Sequence, residues 1–477
     1  MELSGLGEAY RVYPHSIVEV ESSVYGLVRG PEGKALVIAG PAAGFLGEHR
    51  GDFTLCPLSP RNAQVLRGRL PWLSPATLGL QTSAGCGDRL GSATPGHIRA
   101  VRAVGRVAPI FAQQSVRENA RTGRTPQQVM DDAMWGVFQE GWRLPWGADA
   151  DHLKTPADID AFVAAGYTFF TIDPGAHVDN AAHTDPFARL SQKYTELPWD
   201  VLEDSPDGMR RRYLGQACAA GAFTCSYTEE SLLRAACKYG RALAHTAAMY
   251  RHLQHVKGAR PFELEVSVDE TETHTSALEH LFMARELRRL AVEWVSLAPR
   301  YVGRFEKGVD YIGDLDAFDA DIAQHAEIAR ALGPYKLSIH SGSDKFSIYG
   351  TIAQRTGRLV HLKTAGTSYL EALRAVAHVA PALFRDILAL AIEHYDTDRA
   401  SYHVSADAAR VPRPETLSDG DLPALLDDFH GRVVLHVTFG SALERFGPSL
   451  SAALDAHEEA YYTGLQNHFE KHLRPFG

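Results

Sequence analysis

Between residues 77 and 379 short apolar runs alternate with longer amphipathic ones. Leu78 to Ser83, VAPIFAQ, WRLPW, YTFFTI, FELEVSV (262–268), EWVSL, KLSI and RLVHL are short and mostly apolar, and read as strands. The stretches between them show helical spacing: GHIRAVRAVG, QQVMDDAMWGVFQEG and ADIDAFVAAG, then residues 276–290, 315–332, 345–356 and 367–379. Thr-Pro at 94–95, 125–126 and 155–156 opens the first three, with Thr as N-cap and Pro at the first helical position. A longer helix is predicted from about Glu229 to Val256, opened by the capping box Ser226-x-x-Glu229. Eight βα units in a row predict a (β/α)8 barrel of the TIM type rather than a doubly wound sheet. No G-x-G-x-x-G follows a strand, which weakens a dinucleotide-binding reading.

The flanks break the rhythm. Residues 1–75 form a small β-rich extension, with strands Ser23 to Arg29 and Lys34 to Gly40 joined by the turn at Gly30-Pro31-Glu32-Gly33. Residues 76–380 are the barrel, interrupted after Pro174 by an irregular section of about 50 residues. Residues 381–477 read as a C-terminal α/β extension packed on the barrel. It has a Pro-rich loop, a strand-like VVLHVTF at 433–439 and a closing helix from about Ser449 to His472.

Composition narrows the class. An apolar share of 45% and a charged share of 22% over 477 residues describe a globular protein with a sizeable core. The net charge of −10 argues against a nucleic-acid partner. The N-terminus lacks the pattern of a secretory signal. The most apolar stretch, Ala375 to Ile392, carries Arg385, Asp386 and Pro381, so no membrane span is expected. Five cysteines with no C-x-x-C read as reduced thiols of a cytoplasmic protein.

In a barrel, residues just past each strand converge on one mouth. Those positions hold Asp88 and Arg89; Ser115, Arg117 and Glu118; Asp149, Asp151, His152 and Lys154; Asp173; Asp269 and Glu270; His340, Asp344 and Lys345; and Lys363, Thr364 and Thr367. His152, Glu270 and His340 follow alternate strands and are the expected ligands of one divalent metal ion, Zn, Mn or Ni. The KTAGTS turn opens a helix and offers an anion cradle, and Arg117 and Arg89 suit a carboxylate. Lys154 and Lys363 are read as charge-stabilising, not imine-forming. His436, His403 and His361 sit on apolar backgrounds and are expected in the core, with His436 reopened if the tail reaches the mouth.

GDRLGSATPGH, FAQQSVREN, GADADHLKT, TIDPGAHVDN, VDETETHTS, HSGSDKFSIYG, HLKTAGTSYLEALR and LHVTFGSAL, in this order from about residue 80 to 440, together resemble the tagaturonate epimerase family. The resemblance implies a metal-dependent barrel enzyme that interconverts D-tagaturonate and D-fructuronate, with tagatose and fructose as further substrates. C4 of such a ketose is β to the C2 carbonyl, so inversion there calls for retro-aldol cleavage and re-addition. On that expectation Asp173 moves the proton with Asp88 as partner and Lys154 in support. Arg117, Ser115, Arg89, Lys345 and the Thr364–Thr367 turn hold the substrate. A metal-dependent aldolase or ketose isomerase acting on a sugar acid is the alternative, a non-catalytic uronate sensor a more distant one, and a homo-oligomer is left open.

Overall fold

The structure, a computed structural model, describes residues 7–477. The expected barrel is present: eight strands, each paired in parallel with two neighbours, close in the order β4-β5-β6-β7-β8-β1-β2-β3. They are β1 (Ser83–Gly85), β2 (Ala108–Ser115), β3 (Gly147–Leu153), β4 (Phe169–Ile172), β5 (Glu263–Ser267), β6 (Ser296–Ala298), β7 (Lys336–Ile339) and β8 (Val360–Lys363). Leu78, Ile110 and Phe169 form a small apolar cluster at one end of the ring.

The third strand corrects the reading of WRLPW. Pairing begins only at Gly147, and the polar segment GADADHL is buried at all seven positions. It is buried because Asp149 and Asp151 face a lysine inside the barrel (below), a compensation that apolar periodicity does not register. The first strand is likewise shorter and later than expected, Ser83–Gly85.

Caps explain the helix starts. Thr125 and Thr155 cap their helices in reciprocal boxes with Gln128 and Asp158. Thr94 instead lies inside its helix, behind Ala93, and the free N–H groups of Leu90, Gly91 and Ala93 go to the carboxylate of Asp88. Helix Glu229–Lys257 is capped by Thr228 with Ser231; Ser226 belongs to the hairpin Ala217–Ala220/Phe223–Ser226 before it.

The N-terminal segment is a six-stranded antiparallel sheet whose central hairpin pairs Ser23–Gly30 with Gly33–Ala39. The C-terminal segment is helical rather than α/β. VVLHVTF falls in helix Phe429–Val437 and the start of Phe439–Ala456, and Glu458–Leu473 closes the chain. The β-branched run misleads because this short helix is enclosed: every residue from Gly431 to Val437 is buried. No helix among the described residues is long and apolar enough to cross a membrane.

The last helix binds the architecture together. Tyr13 donates to Glu458 at 2.8 Å, and Tyr461 donates to the Ser368 carbonyl at 3.0 Å. Helix Thr94–Val104 meets it so closely that a Cβ on Gly96 would stand 2.6 Å from Leu465 Cβ. Gly96→Ala should therefore destabilise the protein by about 1–3 kcal/mol, read as a lower urea midpoint at an unchanged slope.

Candidate active site

The barrel interior carries charge. Lys363 at the end of β8 stands 2.9 Å from Asp149 and 2.6 Å from Asp151 on β3, and 2.9 Å from Glu265 on β5. Its ammonium also donates to Thr171 at 2.7 Å. Burial alone would discharge this lysine, but the three carboxylates hold its pKa well above the ordinary value. Four short contacts fix its ammonium inside the ring.

Above it two imidazoles face each other. His152 Nε2 is 3.2 Å from His340 Nδ1, with the rings nearly perpendicular. His152 occupies a bulge of β3 at φ 56°, a strained conformation that turns its side chain to the mouth. Each ring gives its other nitrogen to a buried carboxylate: His152 Nδ1 to Asp173 at 3.2 Å, and His340 Nε2 to Glu265 at 2.6 Å. Asp269 lies 3.2 Å from His340 Nδ1, and Asp151 3.8 Å from His152 Nε2. Burial opposes charge on both rings. Asp151 and Glu270 nevertheless push His152 up to about 10, and Asp269 and Glu265 push His340 up to about 9.

This donor set fits a divalent cation. Asp151, His152 and His340 form one group able to hold a metal, and His152, Asp173 and Glu270 a second that shares His152. Two nitrogens on one tetrahedral ion at about 2.0–2.1 Å stand about 3.4 Å apart, close to the separation found here. A carboxylate behind each histidine is the usual support of a metal-binding imidazole. Beside this group opens a cavity of about 460 Å³, walled by Arg117, Asp269, Glu270, Tyr301, His340 and Tyr402 among others.

The predicted residues divide. His152 and His340 come together, with Asp173 beside His152 and Lys154 3.3 Å from Asp173. Glu270 groups with His152 and Asp173, not with both histidines, and accepts from Arg117 at 2.9 Å. The others spend their polar atoms on the strand–helix junctions that carry them. Asp88 caps its own turn, and Arg89 is paired with Glu118 at 2.7 Å and lies over Phe439. Ser115 caps the helix after β2. Thr364 donates to the Gly85 carbonyl at 2.6 Å and Thr367 to Asp344 at 3.3 Å. Lys345 is fully buried and donates to the carbonyls of Glu306, Val309 and Ser343.

Sequence reasoning missed Glu265 and underrated Asp149, Asp151 and Asp269. The signal was available: Asp149-x-Asp151 and Glu263-x-Glu265 place carboxylates two apart, on one face of a strand. His436 does reach the mouth, on a helix. Gly366 leaves room for its ring, and its Nδ1 has no hydrogen-bond partner.

A model of the family described as tagaturonate epimerase matches residues 13–476. The tagaturonate/fructuronate epimerase of Thermotoga maritima is 45% identical over 477 residues, 98% of this chain and 97% of the relative. The native crystal structure of the fructuronate-tagaturonate epimerase UxaE from Cohnella laeviribosi superposes with a TM-score of 0.94 at 36% identity, covering 99% of this chain and 97% of that one. Its complex with one glycerol gives the same TM-score and identity over 98% and 96%.

The ion cluster makes its own prediction. Lys363→Met would leave three buried carboxylates without their cation and should cost about 3–5 kcal/mol. Chemical denaturation measures it; a loss below 1 kcal/mol would remove the cluster's structural role.

Proposed function

Because the chain belongs to the tagaturonate epimerase family, we propose that it interconverts D-tagaturonate and D-fructuronate by metal-dependent retro-aldol chemistry at C4. The observation that carries this reading is the pair of facing, carboxylate-backed imidazoles beside a charged cavity. His152 and His340, with Asp269 and Asp151 beside them, are the residues that would hold the ion. A bound divalent cation would supply Lewis acidity to the vicinal oxygens of a keto-sugar.

The chain's own groups handle the protons. Asp173 accepts from His152 Nδ1 and from the Gly175 N–H at 2.8 Å, so its oxygens are engaged. Its role is to fix the tautomer and direction of His152, with Lys154 balancing its charge. Asp88 takes no part. Glu270 opens to the cavity, and its pKa is lowered although burial and Asp269 work against the anion: His152, Lys307 and Arg117 hold it ionised. It is suited to take the proton of the C4 hydroxyl.

With that proton on Glu270, the O4 electron pair forms the new carbonyl and the C3–C4 bond breaks. The pair left on C3 becomes the enediolate of the C1–C3 half. Rotation of the C4 aldehyde presents its other face, the bond re-forms, and Glu270 returns its proton to O4. Simple α-proton abstraction cannot do this, because the C4–H is not adjacent to the C2 carbonyl. Tagatose and fructose share the reacting carbons and fall within the same reading. The free state of all five cysteines supports a cytoplasmic setting.

Fructuronate incubated with the protein should yield tagaturonate by chromatography. The conversion should stop with EDTA and resume with Mn²⁺, Ni²⁺ or Zn²⁺; a trapped three-carbon aldehyde without the epimer would favour an aldolase. Glu270→Gln should lower kcat about 10²–10⁴-fold at a metal content equal to wild type by elemental analysis. Retained turnover, or lost metal, would overturn its proton role.

A further inference from the structure

The cavity wall holds several cations, and nearly all are spent on protein groups. Arg117 is paired with Glu270 at 2.9 Å, and Arg304 with Glu306 at 3.6 Å. Arg300 donates to the Asp269 carbonyl at 3.1 Å, and Lys363 lies among three carboxylates. Lys307 differs. It lines both the main cavity and the smaller recess beside His152, and its ammonium makes no hydrogen bond or close ion pair with any described residue, acting on Glu270 and Glu118 only at longer range.

Lys307 is nevertheless held in place through its neighbours. Glu306 accepts from the Ser405 N–H and hydroxyl, both at 2.8 Å. The Glu306 carbonyl takes Lys345 Nζ at 2.8 Å, Val309's carbonyl takes the same ammonium, and Gly308's carbonyl takes Arg432. Burial pushes Lys345 down to about 7, opposed by Asp344, so placing that ammonium inside the protein is costly. Its three bonds are all to backbone carbonyls, two of them flanking Lys307. The loop is thereby rigid where a free cation meets the cavity, the arrangement expected of a preorganised anion contact.

We infer that Lys307 binds the substrate's carboxylate and sets the preference for a sugar acid over its neutral counterpart. This rests on the epimerase reading above and names the group that recognises the acid end. With the keto end at the histidine pair, Lys307 is the cavity cation whose hydrogen-bonding capacity is left for the carboxylate end; its charge acts on Glu270 and Glu118 only at longer range. After C3–C4 cleavage that carboxylate stays on the aldehyde half, so the same contact retains the fragment that must add back.

The test compares fructuronate with its C6 primary amide as substrates for wild type, Lys307→Met, Lys307→Arg and Arg300→Gln. Wild type should favour the acid by about 10–100-fold in kcat/KM, the range of a hydrogen bond to a charged group. In Lys307→Met the preference should fall below threefold, chiefly through KM for the acid, and Lys307→Arg should restore part of it. An unchanged preference in Lys307→Met, or its loss in Arg300→Gln alone, overturns the assignment while leaving the epimerase reading intact. A wild type that converts neither compound overturns both. Equal losses on acid and amide in Lys307→Met would mark a structural residue and also overturn it.

Discussion

The rest of the site depends on one buried ammonium. Lys363 lies inside a closed ring of strands, where an isolated charge is strongly disfavoured, and its partners arrive from β3 and β5. The same Glu265 oxygen that meets Lys363 accepts from His340, and Asp151 reaches toward His152. The ion cluster that fills the barrel therefore also orients the two imidazoles. Mouth and interior form one electrostatic unit, and strands of polar sequence become tolerable as core.

That coupling explains what was legible in the sequence. Where strands are apolar and helices amphipathic, as in residues 315–339 and 367–379, the elements match the spacing, because burial of one face decides them. GADADHL was missed as a strand because its burial rests on a lysine more than 200 positions later, which no local pattern contains. VVLHVTF failed in the opposite way: its β-branched residues are buried, but in a helix enclosed on all sides. Strand-end placement brought His152, His340 and Asp173 together, since the barrel's direction alone does that. It could not separate residues aimed at the cavity from those closing their own turns. Asp88, Ser115 and Thr364 sit at junctions where free N–H and C=O groups are nearby and must be satisfied first.

The C-terminal helices do more than cover a wall. His468 meets Asp344 at 2.7 Å, Arg432 meets it at 2.9 Å, and the Asp344 N–H donates to His472 at 2.9 Å. Asp344 and Ser341 both adopt left-handed backbone, at φ 61° and 48°, so the loop after β7 needs outside support to keep its shape. This group resembles a metal site in composition, but its chemistry differs. Arg432 already neutralises Asp344, and the His472 lone pair is taken by a backbone N–H. It is a clamp on the loop that carries His340.

The charge pattern of the mouth follows from these constraints and bears on the substrate it suits. Carboxylates gather around the histidine pair: Asp151, Asp173, Glu265, Asp269 and Glu270 all lie within reach of one ring or the other. Such a cluster suits a cation. Positive charge sits on the loop after β6, whose carbonyls are fixed from below by Lys345 and from the side by Arg432. A neutral ligand gains nothing from that separation, whereas a molecule with polarisable oxygens at one end and an anion at the other is oriented by it before any close contact forms. On the retro-aldol route proposed above, which cuts the substrate in two and rejoins the halves, a separate hold on each end would keep cleavage from becoming release.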